Sequence, residues 1–270
     1  MRLIANARMY SVTPVVEEAW RSLLDKVSAM ADVELVYTPY PAPQPLEPLW
    51  RRPDLGCVFM CGYPIALGLA DVEPIAAPIP DAPWVEGRAF YRSDLIVRAE
   101  SPYRTLADTF GGTVGWTVEH SHSGFNALRH HLLPFRRPGN DPVFRRAIGS
   151  LVTARKILDS VIDGTIDVGP LDGYWHLLIR KHMPELLAKV RVLASTELAP
   201  IPAFVASRGT PSEVVARLRA ALLAASGESW FGHLGEVLCL QGFEAVHRQS
   251  FDTSLQWARD AEAAGYPFPA

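Results

Sequence analysis

Cysteine is scarce in this chain, with only Cys57, Cys61 and Cys239 among 270 residues. An odd number, in a chain long enough to bury a core of its own, argues against a disulfide framework. Cys57 and Cys61 lie in the apolar run Leu55-Gly56-Cys57-Val58-Phe59-Met60-Cys61, where cysteine packs as a small hydrophobe. No apolar stretch reaches the roughly 18–20 residues that a membrane span needs. Charge of one sign is not in excess, since 26 Lys and Arg stand against 29 Asp and Glu. That balance leaves no electrostatic footprint for nucleic acid or an anionic membrane surface.

The familiar catalytic and cofactor motifs are missing too. There is no G-x-G-x-x-G and no Walker pattern, which disfavours dinucleotides and nucleoside triphosphates. No H-E-x-x-H or paired C-x-x-C supplies metal-ligand spacing. His120 and His122 are two apart and His130 and His131 are adjacent, so neither a metal nor a cofactor is expected. No G-x-S-x-G is present, and Cys61 has no base beside it in sequence, so nucleophilic catalysis has no local motif. The N-terminal residues Met1-Arg2-Leu3-Ile4-Ala5-Asn6-Ala7 lack the long apolar region and small-residue cleavage site of a secretory leader. The expectation is a cytoplasmic protein as the sequence stands, or a periplasmic one if a leader was trimmed.

What is there is an alternation of short apolar runs and amphipathic stretches. Strands are expected at 3–7, 35–37, 55–60, 90–97, 113–118, 166–170, 190–194 and 203–206. Thr13-Pro14 opens a helix, with a capping hydroxyl before a proline suited to the first turn. Val16, Ala19, Trp20, Leu23, Leu24 and Val27 follow at helical spacing. Further helices are expected after Gly124 and at 151–162, 175–181, 228–240 and 251–264. Thr210-Pro211-Ser212-Glu213 reads as a capping box. Strands alternating with helices argue an α/β layer with a parallel sheet. The Pro-rich joint at 197–202, with strands on both sides and no helix between, suits a chain crossing between lobes.

One segment carries the most chemistry. In Val118-Glu119-His120-Ser121-His122-Ser123-Gly124-Phe125-Asn126, hydroxyls and a glycine stand between a strand and a helix. Main-chain N–H groups at the positive end of a helix dipole, with hydroxyl donors beside them, form a cup for an anion. The plainer alternative is that Ser121 or Ser123 only caps its own helix. A second candidate is Met60-Cys61-Gly62-Tyr63-Pro64 at the carboxyl end of a buried strand, where ligands of open α/β sheets collect. Either Tyr63 offers its phenol there, or the segment is a turn with an aromatic lid. Tyr10, Tyr91 and Ser93 sit at strand ends near a crossing. Asp172 follows the strand ending Val168-Gly169-Pro170, to accept a hydrogen bond from a protonated ligand or an amine, or to cap the next helix.

Taken in order, Met9-Tyr10, Cys61-Gly62-Tyr63-Pro64, Tyr91-Arg92-Ser93, Ser121-His122-Ser123-Gly124 and Asp167-Val168-Gly169-Pro170-Leu171-Asp172 resemble a known family. It is that of the phosphate/phosphite/phosphonate-type substrate-binding proteins of ABC transporters, with the type 2 periplasmic-binding-protein fold. The resemblance implies an α/β protein of two lobes joined by two extended hinge crossings, with lobe 1 from 1–90 and 198–270 and lobe 2 from 91–197. It implies ligand held between the lobes, with Ser121, His122, Ser123 and Gly124 gripping the oxyanion. Tyr10, Gly62, Tyr63, Tyr91 and Ser93 would line the cleft and Asp172 would face it. The chain departs from the family pattern at His122, where threonine is usual. It departs again at Ser150-Leu151-Val152-Thr153, where many relatives carry a histidine that reaches the ligand.

The function so implied is a solute-binding protein, not an enzyme, that closes over phosphate, phosphonate or a related phosphorylated compound. Its partners would be that small ligand and an ABC permease, with no nucleic acid, and the chain would be a monomer or weak dimer. The alternatives are an enzyme of cofactor biosynthesis on the same scaffold, drawing on Cys61, His120, His122 and Asp172, and a cytoplasmic ligand sensor.

Overall fold

The computed structural model describes residues 2–136 and 142–270. In chain order the elements are β1 (Arg2–Asn6), α1 (Pro14–Ala31), β2 (Glu34–Tyr37), α2 (Glu47–Trp50), β3 (Leu55–Met60), α3 (Gly62–Leu67), β4 (Val72–Pro80) and β5 (Phe90–Tyr91). There follow β6 (Ser93–Arg98), β7 (Thr113–Gly115), α4 (Ala127–Leu132), β8 (Arg146–Ile148), α5 (Ala154–Ile162), β9 (Gly169–Asp172), α6 (Gly173–His182), α7 (Pro184–Leu187) and β10 (Val190–Ser195). The chain closes with β11 (Ala199–Pro200), β12 (Ala203–Ser207), α8 (Ser212–Ala224), α9 (Phe231–Leu238), β13 (Leu240–Ala245) and α10 (Asp252–Ala263).

Two compact units result. Unit 1 comprises 1–91 and 200–252, and unit 2 comprises 92–199 and 253–270. The chain passes between them at 91–92, at 199–200 and a third time at 252–253. Residues 253–270, which the sequence reading gives to lobe 1, are therefore grouped with unit 2. The reason is their bonding: Ser254 and Pro267 accept hydrogen bonds from Asn126 and Arg129, and Trp257 stacks on His122 and His130.

Unit 1 is built on a six-stranded sheet in the order β13-β4-β12-β3-β1-β2. β1 runs parallel to β2 and β3, while β12 is antiparallel to β3 and β4, and β13 to β4. The sheet is thus mixed rather than parallel. β12 enters it from the return passage and not through a βαβ crossover, so nothing obliges it to run parallel. Helix α1 buries the stripe its spacing predicts, and Thr13 accepts from the Val16 N–H at 3.3 Å as the expected cap. Trp20, Phe59 and Phe204 pack together at the centre, the two phenylalanines stacked at 3.9 Å.

Several local expectations fail for identifiable reasons. β4 carries Pro74, Pro78 and Pro80 inside the sheet, where proline removes ladder donors. Register shifts in both of its pairings accommodate them, and the Arg219 guanidinium donates to the Pro74 and Ile75 carbonyls at 2.8 and 2.9 Å. The capping box at Thr210 does not form, because the Thr210 hydroxyl turns to the Leu55 carbonyl and Pro211 stands at the start of α8. The helix expected at 228–240 stops at Leu238, where Cys239 takes a left-handed conformation and starts the turn into β13. Helix α5 starts at Ala154 instead of Leu151, since Ser150 and Val152 both have positive φ.

Unit 2 has a three-stranded antiparallel sheet, β10-β6-β9, and a parallel β7–β8 pair joined to it by a bridge between Val114 and Val168. Side chains alternate along β6. Leu95 and Val97 enter the core with Val114, Trp116, Phe125 and Leu128, while Asp94 reaches His176 on α6.

Candidate functional site

The serine-rich segment after β7 takes a shape that a simple cap would not require. Ser121 ends the turn, and His122–Asn126 form a single π-helical turn that continues directly into α4. The wide turn is closed by the Asn126 N–H donating to the Ser121 carbonyl at 3.0 Å. Ser121 does cap, with its Oγ accepting from the Gly124 N–H at 3.0 Å. A first-turn N–H has no carbonyl behind it in the helix, and the helix dipole puts partial positive charge on this end. π-turns of this kind recur at functional sites.

Gly124 is required by close approach. A Cβ there would lie 1.9 Å from the Thr117 Oγ1, and the Thr117 N–H donates to the Gly124 carbonyl at 3.1 Å. The turn is thereby clamped to the chain leaving β7. Beside it runs the strained loop at 149–152, whose Leu151 and Val152 N–H groups donate to the Trp116 and Thr117 carbonyls at 3.2 and 3.3 Å. Val152, β-branched at φ 66°, occupies a conformation that such residues rarely adopt.

Ser123 is where three elements converge. Its carbonyl accepts from the Ser93 hydroxyl at 2.9 Å, and its own hydroxyl makes a long 3.5 Å hydrogen bond to Asp172 Oδ2. Ser93, at the start of β6, is paired with Asp172 at the end of β9. The Ser93 N–H donates to Thr196 Oγ1 at 2.9 Å. Asp172 Oδ1 accepts from the Tyr174 and Trp175 N–H groups at 3.0 Å each, capping α6. Ser93, Ser121, Ser123, Gly124 and Asp172, singled out in sequence, are therefore neighbours in unit 2. The donors gathered here are hydroxyls and main-chain N–H groups, with one carboxylate among them.

His122 belongs to the same turn, with its ring built into the packing. It is 1% exposed, stacks on Trp257 at 5.1 Å and has Nδ1 3.3 Å from Asn126 Nδ2. Burial, reinforced by the charge of nearby His130, lowers its pKa to about 3, so the imidazole is neutral near pH 7. Asn126 is the hub behind it, donating to the Ser254 carbonyl at 2.8 Å and accepting from Arg129 at 3.2 Å. Sequence reasoning passed over Thr117, Thr196 and Trp257. Thr196 is distant in sequence from the Ser93 it holds, Thr117 acts on Gly124 through the main chain and close packing that no motif announces, and only the grouping of α10 with unit 2 brings in Trp257.

The unit 1 candidates form a set of their own. Tyr10 is buried at the end of a 3-10 turn after β1 and meets Phe59 edge-on at 5.1 Å. The Tyr91 hydroxyl lies 3.7 Å from Cys61 Sγ, the residue just before α3. Gly62 and Tyr63 make the first turn of α3, and a Cβ on Gly62 would meet Phe251 at 2.5 Å. Cys57, deeper in β3, has its thiol pKa pushed up by burial. Among the described residues no group of three His, Cys, Asp or Glu side chains is placed to hold a metal ion, and no helix is long and apolar enough to cross a membrane.

Comparison with known proteins adds the following. A family model described as "ABC transporter, phosphonate, periplasmic substrate-binding protein" matches residues 11–251. No curated protein matches the chain. Among solved structures, a binding-protein component of an ABC phosphonate transporter from Pseudomonas aeruginosa superposes with TM-score 0.81 at 16% identity, covering 98% of this chain and 88% of that one. PhnD1 from Prochlorococcus marinus, in complex with methylphosphonate, gives TM-score 0.76 at 15% identity over 96% and 98% of the two chains. A Xanthomonas citri protein bound to ATP gives 0.68 at 18% identity over 97% and 98%. These likenesses establish the two-lobed type 2 periplasmic-binding-protein fold.

Proposed function

The chain belongs to the family of phosphonate-type periplasmic substrate-binding proteins of ABC transporters, and from that premise we propose that it binds a small phosphorus oxyanion at the turn Ser121–Gly124. The observation that carries this reading is the convergence on Ser123 of a helix N-terminus, the Ser93 hydroxyl and the Asp172 carboxylate. Neutral donors at a helix start hold an anion without a permanent cation.

Asp172 sharpens the chemistry. A carboxylate in an anion cup repels a fully ionised ligand and favours one that brings a hydrogen to donate. A phosphonate or phosphate monoanion has such a P–O–H group, and an aminoalkyl phosphonate also has an ammonium, whereas sulfate near neutral pH has neither. The ligand class is therefore a protonatable phosphorus oxyanion. The role is reversible binding without bond cleavage, in the service of an ABC permease and in the periplasm, as the family's description implies.

Thermal unfolding with methylphosphonate, phosphate, phosphite and sulfate tests this. A ligand at a hundredfold its Kd stabilises the folded protein by about 2.7 kcal/mol. The expected result is a raised midpoint with one or more phosphorus oxyanions and none with sulfate. Equal shifts with sulfate, or none with any phosphorus compound, would remove the assignment.

A further inference from the structure

We propose that unit 2 carries a second binding site, for a small organic anion, in the cavity between α6–α7 and the strands β6 and β10. The cavity measures about 220 Å³ and has His176, Arg180 and Arg191 among its walls, with Ile96, Leu187 and Val190 supplying an apolar side. No acidic side chain lines it. At about 30 Å³ per water, it has room for a short molecule and is too small for a nucleotide.

His176 is the built element. It is 4% exposed, and its Nδ1 lies 2.7 Å from Asp94 Oδ2. Asp94 is also held by the Ser195 hydroxyl at 2.6 Å and by Arg92 at 3.1 Å. Burial works to raise the Asp94 pKa, but the hydrogen bonds from His176 and Ser195 and the charges of His176 and Arg92 outweigh it, so the carboxyl stays ionised. A carboxylate at Nδ1 fixes the ring and turns Nε2 to work elsewhere. With Nδ1 so engaged and the ring on the cavity wall, Nε2 is the atom the histidine presents there.

The two arginines complete the set. Arg180, one turn beyond His176 on α6, has no hydrogen-bond or ionic partner among the described residues. Arg191 is engaged with the main-chain carbonyls of Ala99, Ser101 and Tyr103, which position its guanidinium without neutralising it. Two guanidiniums opposite an apolar wall, with the His176 ring beside them, fit a carboxylate or phosphate head with a short aliphatic tail. Ser93 and Asp94 point to opposite sides of β6, so this cavity is separate from the serine turn.

Sodium butyrate is the probe, titrated calorimetrically into the whole protein, Arg180→Gln and Ser123→Ala. Arg180 is exposed, so its variant should unfold at the wild-type midpoint, which serves as the folding control. Saturable butyrate binding, unchanged in Ser123→Ala and weakened roughly tenfold or more in Arg180→Gln, is the expected result. A butyrate-dependent shift of the His176 Nε2 resonance in nitrogen-15 spectra would accompany it. Absence of saturable binding, indifference to Arg180→Gln, or loss in Ser123→Ala alone would overturn the proposal.

Discussion

The Ser93 hydroxyl donates to the Ser123 carbonyl across 2.9 Å, with both residues buried. This bond ties the first residue of β6 to the middle of the π-turn, and so fixes the direction in which the turn's N–H groups face. Ser93→Ala removes the donor and leaves a buried carbonyl short of one bond, costing about 1–3 kcal/mol. Urea unfolding should show that loss, and methylphosphonate binding should weaken with it. A variant of unchanged stability and unchanged affinity would mean the bond is idle.

Gly124 and Thr117 make a second such pair. A Cβ at 124 would fall on the Thr117 side chain, so Gly124→Ala should destabilise by about 1–3 kcal/mol through overpacking. Adding Thr117→Gly clears the space and should restore part of the loss, as read by the denaturation midpoints of the single and double variants.

Asp172 separates stability from ligand choice. Asp172→Ala loses the α6 cap and should cost about 1 kcal/mol. Asp172→Asn keeps an oxygen for the Tyr174 and Trp175 N–H groups and should retain stability, while losing the preference for ligands that donate a hydrogen. Competition between methylphosphonate and sulfate reports this as a narrowed ratio of affinities in Asp172→Asn.

His122 gives a pH dependence of defined sign. Its folded pKa of about 3 lies below the ordinary histidine value, chiefly through burial and then through the charge of His130. The unfolded chain takes up a proton near pH 6.5 that the folded chain refuses. This contribution to stability is present above pH 6.5 and is lost as pH falls toward 3, by roughly 1 kcal/mol per unit. Between pH 6.5 and about 4.5, where carboxylates contribute little, His122→Asn should show a flatter stability profile than the parent chain. Parallel profiles would contradict a buried neutral imidazole.

How much of this was legible beforehand differs by element. The stripe of α1, its Thr13 cap and the strand Leu55–Met60 follow from local spacing and local side-chain chemistry. The serine turn was readable as a capped helix start for the same reason, since its hydroxyls and glycine are consecutive. β4 was not readable, because three prolines argue against a central strand until Arg219 and two register shifts compensate. Nor was the return of 253–270 to unit 2, which depends on Asn126 meeting Ser254 and on Trp257 lying against two histidines. Those contacts join residues more than a hundred positions apart, and no local pattern announces them.

Calorimetric titration of methylphosphonate, followed by phosphorus-31 NMR of the recovered ligand, tests the central claim most directly. Saturable binding of one molecule per chain, with a single unchanged phosphorus resonance after long incubation, is the predicted result. Absence of binding, or a new phosphorus resonance marking turnover, would contradict it.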